Sequence, residues 1–307
     1  MWLNREALNT VFARVELRPV LVVPPLLFLV QVVVSGLRTV VLLGPEARAD
    51  VKGCVGCHIV AQVSNQLVPS GAGDFVLKGA CLARRLKRPY ARLAGVVLVD
   101  RLFDAILAAA LIPVVLLALW GRISPAAGLG LTAVVVLVLP AILHGILHPL
   151  LTGMQSVSAG RTGRVATLAN GLNTLYRERR DALRLAYLVT VLRFAAMAGG
   201  LALLHHLMFD GDTWQVVLLF APVSQLALLL PVAPGGLGVV EGAWYGALTM
   251  AGSESATAFA FALAVRVYII VGTLLSASLA LALHGAALWR NARRDARARM
   301  AQDAETG

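Results

Sequence analysis

Cys54-Val55-Gly56-Cys57-His58 has the spacing of a c-type haem attachment motif: two thiols for thioether bonds and a histidine for the iron. The motif opens an apolar segment, and no soluble cytochrome fold of ~80–100 residues surrounds it. Membrane packing is therefore the reading adopted for Cys54, Cys57 and His58, with no haem and no other cofactor expected. His144 and His148 stand i, i+4, a metal-ligand spacing, but no glutamate of the zincin kind lies between them and no third ligand is evident. They read as core or interface histidines, and no metal site is expected. A phosphate-binding loop of the NTPase type is absent, as is a Gly-x-Ser-x-Gly nucleophile motif. What remains is a small set of charges embedded in apolar sequence: Arg38, Asp100, Arg101, Asp104, Arg193, Glu241 and Arg266.

The elements that carry these charges are set by composition. Of 307 residues, 59% are hydrophobic and 14% charged, against about 25% charged in an ordinary soluble domain. Ile123 to Gly160 and Thr213 to Val240 contain no formal charge, and each exceeds the roughly 20 residues that cross a bilayer core as a helix. The expected fold is all-α, a polytopic transmembrane bundle forming a single membrane domain over 1–307. About eight segments are expected, near 19–43, 53–70, 93–120, 123–151, 185–208, 213–231, 239–252 and 255–289, the second and seventh being short or broken. The first run lacks a small-residue cleavage site and reads as retained. Most of the 27 basic residues fall at the chain ends and in two loops, around Arg84–Arg92 and Arg161–Arg184. The positive-inside bias then puts both termini in the cytoplasm and the protein in the inner membrane. The net charge of +11 reads as a topology signal facing anionic lipid, with no nucleic-acid partner. Val165, Leu168, Leu172 and Leu175 share one helical face, so 161–182 reads as an amphipathic cytoplasmic segment.

A charge at the bilayer centre costs at least ~2.5–3.5 kcal/mol, so it pairs or faces a wet cavity. Arg101 and Asp104 are neighbours on a helix face and can neutralise each other. Arg38 reads as snorkelling to an interface. Arg266 has no acidic neighbour three or four positions away, so its partner is another segment or an anionic ligand; a phosphate is the favoured one. Two Gly/Pro breaks accompany the charges. One holds Asn65, Pro69, Gly71, Gly73 and Asp74; the other holds Pro234, Gly235, Gly236, Gly238 and Glu241. Each should unwind, either as a broken helix or as a re-entrant element, and unwound backbone at membrane depth lines a cavity or protein interior. Asp74 precedes Arg101 much as Glu241 precedes Arg266. That similarity suggests two parallel halves, 1–152 and 183–290, with interruptions at matching places, a pointer to a transport path.

The same residues resemble the lysylphosphatidylglycerol synthase transmembrane-region family, also described as flippase-like integral membrane proteins. The resemblance rests on Asn65…Leu67-Val68-Pro69…Gly73-Asp74 with Asp100-Arg101-Leu102-Phe103-Asp104, and on Pro234-Gly235-Gly236-Leu237-Gly238…Glu241 with Arg266. It implies a domain that moves a lipid between leaflets. Well-understood members join this domain to an aminoacyl-transferase, for which this sequence has no counterpart. Lysyltransferase activity is therefore not expected from these residues. The family's basic residue shortly after Gly-Asp is displaced here to Lys78, whose role is open.

The expected function is flippase-like transport of a phospholipid, an aminoacyl-lipid or a polyprenyl-linked amphiphile. Arg101, Asp104, Arg266, Glu241, Asp74 and Asn65 would bind an anionic or aminoacylated head group, and Pro69, Gly71, Gly73, Pro234, Gly235, Gly236 and Gly238 would line the path. The alternatives are a membrane enzyme of lipid modification, and an accessory subunit working with an envelope-lipid synthase.

Overall fold

The computed structural model describes residues 17–68, 73–158, 180–209, 213–229 and 233–306. All regular elements among them are helical. Five helices are long and apolar enough to cross a membrane: α1 (Leu17–Leu43), α4 (Tyr90–Leu119), α5 (Pro125–Ser158), α6 (Arg180–Met208) and α9 (Ser255–Thr306). Besides a single helical turn at Pro45–Arg48, the remaining helices are short: α2 (Val51–Ser64), α3 (Gly79–Leu86) behind a π-turn at Gly73–Lys78, α7 (Trp214–Ser224) running into a 3-10 turn at Gln225–Leu229, and α8 (Val239–Met250). The amphipathic segment expected from 161 lies outside the described residues up to 179.

The short helices form two hairpins, and neither hairpin crosses. At ~1.5 Å per residue the fourteen residues of α2 rise only about 21 Å, well short of a ~30 Å core. The π-turn and α3 then run back alongside α2. Arg85 pairs with Asp50 and Arg88 with Glu46 at the mouth, a Cys57–Cys81 disulfide lies between them and the tip, and Gly73 packs on Ala61 and Asn65 at the tip. A Cβ on Gly73 would sit 2.5 Å from Asn65 Oδ1 and 2.6 Å from the Ala61 carbonyl, so a larger residue would force the arms apart. Capping begins the hairpin: the Asp50 carboxylate accepts from Gly53 N–H at 3.2 Å. Lys87, with φ 51°, ends it.

The second hairpin joins α7 to α8. Phe220 and Trp244 meet edge to face at 4.9 Å, and Val216 and Leu219 pack with Ala247. Its tip turns through Gly235, Gly236 and Gly238, with φ values of 59°, 66° and 81°, a left-handed run that side chains with a Cβ resist.

The hairpins enter from opposite ends of the bundle. The mouth of the first lies beside the C-terminal end of α1. The mouth of the second lies beside the C-terminal end of α6, where Thr213 bonds His205 at 2.9 Å. Helices α1 and α6 are antiparallel: Leu42 packs with Ala186 at one end, and Gly200 faces Leu27 further along. The unit α1–hairpin–α4 is thus repeated upside down as α6–hairpin–α9. Of the about eight expected segments, five correspond to helices long and apolar enough to cross a membrane, and the two Gly/Pro-interrupted elements fold as hairpins of short helices, the re-entrant form the sequence allowed. The contacts relate the two units by inversion and not as the parallel halves expected. Within the described helices, Leu17 and Ala282 stand at opposite ends of the bundle.

Candidate functional site

Helix α1 brings Arg38 into the centre of the bundle, where the residue is 0% exposed. It does not snorkel. Its Nε donates to Asp100 Oδ1 at 2.6 Å, Nη1 to Asp104 Oδ1 at 2.6 Å and to Thr190 Oγ1 at 2.8 Å, and Nη2 to Asp104 Oδ2 at 3.0 Å. Snorkelling fails for a geometric reason: Asp100 and Asp104 are one turn apart on α4 and present two carboxylates to one planar fork, which suits arginine's bidentate donors. Lys78, at the end of the π-turn, adds Nζ to Asp100 Oδ2 at 2.6 Å, and Arg193 on α6 adds Nη2 to Asp104 Oδ1 at 2.9 Å. The chain Lys78–Asp100–Arg38–Asp104–Arg193 stitches the first hairpin, α4, α1 and α6 together at membrane depth. The pair expected from sequence, Arg101 with Asp104, is the longest contact of the group at 3.7 Å.

The two hairpin tips meet each other. Gly235 N–H donates to the Asn65 carbonyl at 3.1 Å, and a Cβ on Gly235 would lie 2.6 Å from Gln66 Oε1. Arg266 on α9 secures the second tip: Nε bonds Glu241 and Nη1 donates to the Gly235 carbonyl at 3.2 Å. Glu241 in turn accepts from Gly238 N–H at 2.8 Å, closing the helix start.

Between the tips and the buried ion chain lies a cavity of about 460 Å³. Its polar lining comes from every part of the inverted pair. Gln31 and Ser35 project from α1, His58, Gln62 and Asn65 from the first hairpin, and Arg101 and Asp104 from α4. Arg193 comes from α6, Gln225 and Gly235 from the second hairpin, and Tyr268 from α9. Phe28, Met197, Leu201, Val240 and Trp244 supply apolar wall, and Leu102 lines the cavity too while 42% exposed. A polar chamber of this size with an apolar margin suits an amphiphile's head group.

Of the sequence-derived site residues, Arg101, Asp104, Asn65 and Gly235 line this cavity. Glu241 and Arg266 do not; they hold the tip that does. Gly73, Pro234, Gly236 and Gly238 shape the tips. Pro69 and Gly71 lie outside the described residues, as do the side chains of Asp74, His144 and His148. Gln31 and Tyr268 are site residues the sequence does not signal, while Asp100, Arg193 and Lys78, noted as charges in or near apolar sequence, receive here the partners that the sequence leaves open. Membrane packing of both cysteines needs correction for one: Cys57 is bonded to Cys81, while Cys54 is free and buried. His58 belongs to the cavity wall. Among the described residues, no group of three or more His, Cys, Asp or Glu side chains could hold a metal ion.

With two glycine-bearing tips, the ion chain and the Glu241–Arg266 clamp in place, the family model for the lysylphosphatidylglycerol synthase TM region matches residues 1–277. The chain belongs to that family. The match extends from the first residue nearly to the end of the membrane-crossing part of α9. No curated protein and no solved structure matches the chain. This family member is an integral membrane protein, and the family's name points to lipid metabolism.

Proposed function

We propose that this family member moves a lipid between leaflets, the head group passing through the cavity at the hairpin tips. The observation that carries the reading is the meeting of two oppositely inserted, glycine-broken hairpins at a polar cavity inside an otherwise apolar bundle. Interrupted helices in an inverted pair put unwound backbone at the depth where a substrate must cross, and each unit can rock against the other to open one end at a time. The Gly235–Asn65 bond between the tips is then the contact that breaks. The end carrying Arg84, Arg85, Lys87, Arg88, Arg180 and Arg184 faces the cytoplasm of the inner membrane by the positive-inside bias. Beside translocation stand an enzyme of lipid modification and an accessory role with a synthase.

The test is a proteoliposome assay with short-tail fluorescent lipids of differing head group, read by dithionite quenching of the outer leaflet. Translocation faster than in empty vesicles, and slowed by Gly235→Val, is the expected result. No movement of any lipid by folded protein would remove the reading. A chemically altered lipid would replace it with the enzyme.

A further inference from the structure

We infer that the cavity is a phosphate site built around Arg193, and that it takes lipids whose head group is anionic rather than the cationic head of a lysyl-bearing lipid. The inference rests on the translocation reading for its biological use, but not for its test. Four polar atoms of buried cavity-lining residues have no hydrogen-bond partner: Arg193 Nε, His58 Nδ1, Gln31 Oε1 and Tyr268 Oη. Arg193 is 7% exposed, Gln31 8%, Tyr268 4% and His58 2%. An unsatisfied buried polar atom is costly, and four of them sit on residues that line one chamber, where a small rotation would turn each towards a polar guest. Three of these residues can turn a donor to the same guest. Arg193 offers Nε–H and Tyr268 its hydroxyl, while His58 offers Nδ1–H in one tautomer; Gln31 has an amide that can be oriented either way.

Charge decides what the guest is. Leaving Arg101 aside, the ion chain holds three cations (Lys78, Arg38, Arg193) and two carboxylates (Asp100, Asp104). The excess is one positive charge, and Arg193 lines the cavity together with Arg101. Asp104 is the sole carboxylate among the cavity's lining residues, and it already accepts from Arg38 and Arg193. An ammonium head group would enter an environment of its own sign and find no uncommitted acid. A phosphodiester supplies the missing negative charge and oxygens for the arginine and the hydroxyl. The apolar part of the lining, with Leu102 exposed at the surface of the bundle, argues for a phosphate attached to acyl chains rather than a free ion.

The experiment is a thermal-shift and native mass-spectrometry titration of the purified full chain in detergent. The probes are dioctanoyl phosphatidylglycerol, dioctanoyl phosphatidylcholine, the lysyl ester of the former, and inorganic phosphate. The anionic lipid is expected to bind at least tenfold tighter than the zwitterionic and lysyl-bearing ones. Arg193→Gln should weaken it tenfold or more. That variant leaves Asp104 paired with Arg38, and Tyr268→Phe, which removes only an unpartnered hydroxyl, gives a second reading with a several-fold loss should the first not fold. Equal or tighter binding of the lysyl ester overturns the assignment, as does binding indifferent to both variants. Protection by inorganic phosphate matching that of the lipid removes the lipid from the site and overturns it too. Selective binding with no translocation would leave this inference standing and defeat the transport reading alone.

Discussion

Asp104→Asn tests whether the buried ion chain is what holds the inverted halves together. The change keeps the side chain's shape and removes one charge. Asp104 is 5% exposed and accepts Arg38 at 2.6 and 3.0 Å and Arg193 at 2.9 Å. After the change Arg38 retains Asp100, but Arg193 has no carboxylate among the described contacts, and three buried cations share one acid. Stranding a buried charge costs about 3–5 kcal/mol. Arg38→Leu should cost less, near the lower end of that range, because Lys78 still neutralises Asp100 and Arg193 still neutralises Asp104. The order, Asp104→Asn worse than Arg38→Leu, is the specific expectation. Adding Arg193→Met to Asp104→Asn removes the stranded cation and should recover at least ~1 kcal/mol, a coupling of the size seen between residues in one network. Equilibrium unfolding in mixed micelles, followed by tryptophan fluorescence, measures all four proteins. An Asp104→Asn protein within ~0.5 kcal/mol of wild type, or a double variant no better than the single, would refute the reasoning.

Removing the Cys57–Cys81 link, which closes a loop with a sequence separation of 24, with Cys57→Ser/Cys81→Ser should lower stability by about 2–4 kcal/mol, whereas Cys54→Ala should change it by under ~1.5 kcal/mol; the same unfolding assay decides. Arg266→Gln should cost about 1–3 kcal/mol, discounted because Arg266 and Glu241 are 14% and 21% exposed in their side chains, and Glu241→Gln should restore part of it, so full loss of translocation without any thermal shift would instead favour a head-group contact for Arg266. Cysteines placed at Glu46 and Arg88 should react with an impermeant maleimide from the same side and one at Gly121 from the other, and labelling of Glu46 and Arg88 from opposite sides would break the re-entrant hairpin.

How far sequence carried the reading depended on the range of the interaction. Apolar runs are local, so the positions of the long helices are legible in the sequence, although the last one continues through a charged stretch to Thr306, well past its apolar run. The two breaks are legible because glycine and proline act on their own backbone. Direction was not. A fourteen-residue apolar helix such as α2 looks like a short crossing until its return arm is known. What turns it back is Arg85 on Asp50 and Cys81 on Cys57, contacts between residues far apart in the chain. The same limit explains the charges. Helical spacing pairs Arg101 with Asp104, but Asp104 is claimed by Arg38 and Arg193 from other helices, at shorter distances than Arg101 reaches from its own. A lone arginine near a helix end ordinarily snorkels, so the sequence alone points Arg38 to an interface; with two carboxylates one turn apart on α4, staying inside satisfies every nitrogen of the guanidinium. The inversion of the halves follows from the hairpins and has a consequence for chemistry. Inverted units bring equivalent breaks together from opposite ends of the bundle, so Asn65 and Gly235 can touch, and under the proposed translocation a head group would rest between them. Parallel units would have put both hairpin mouths at one end, with no such meeting of the tips.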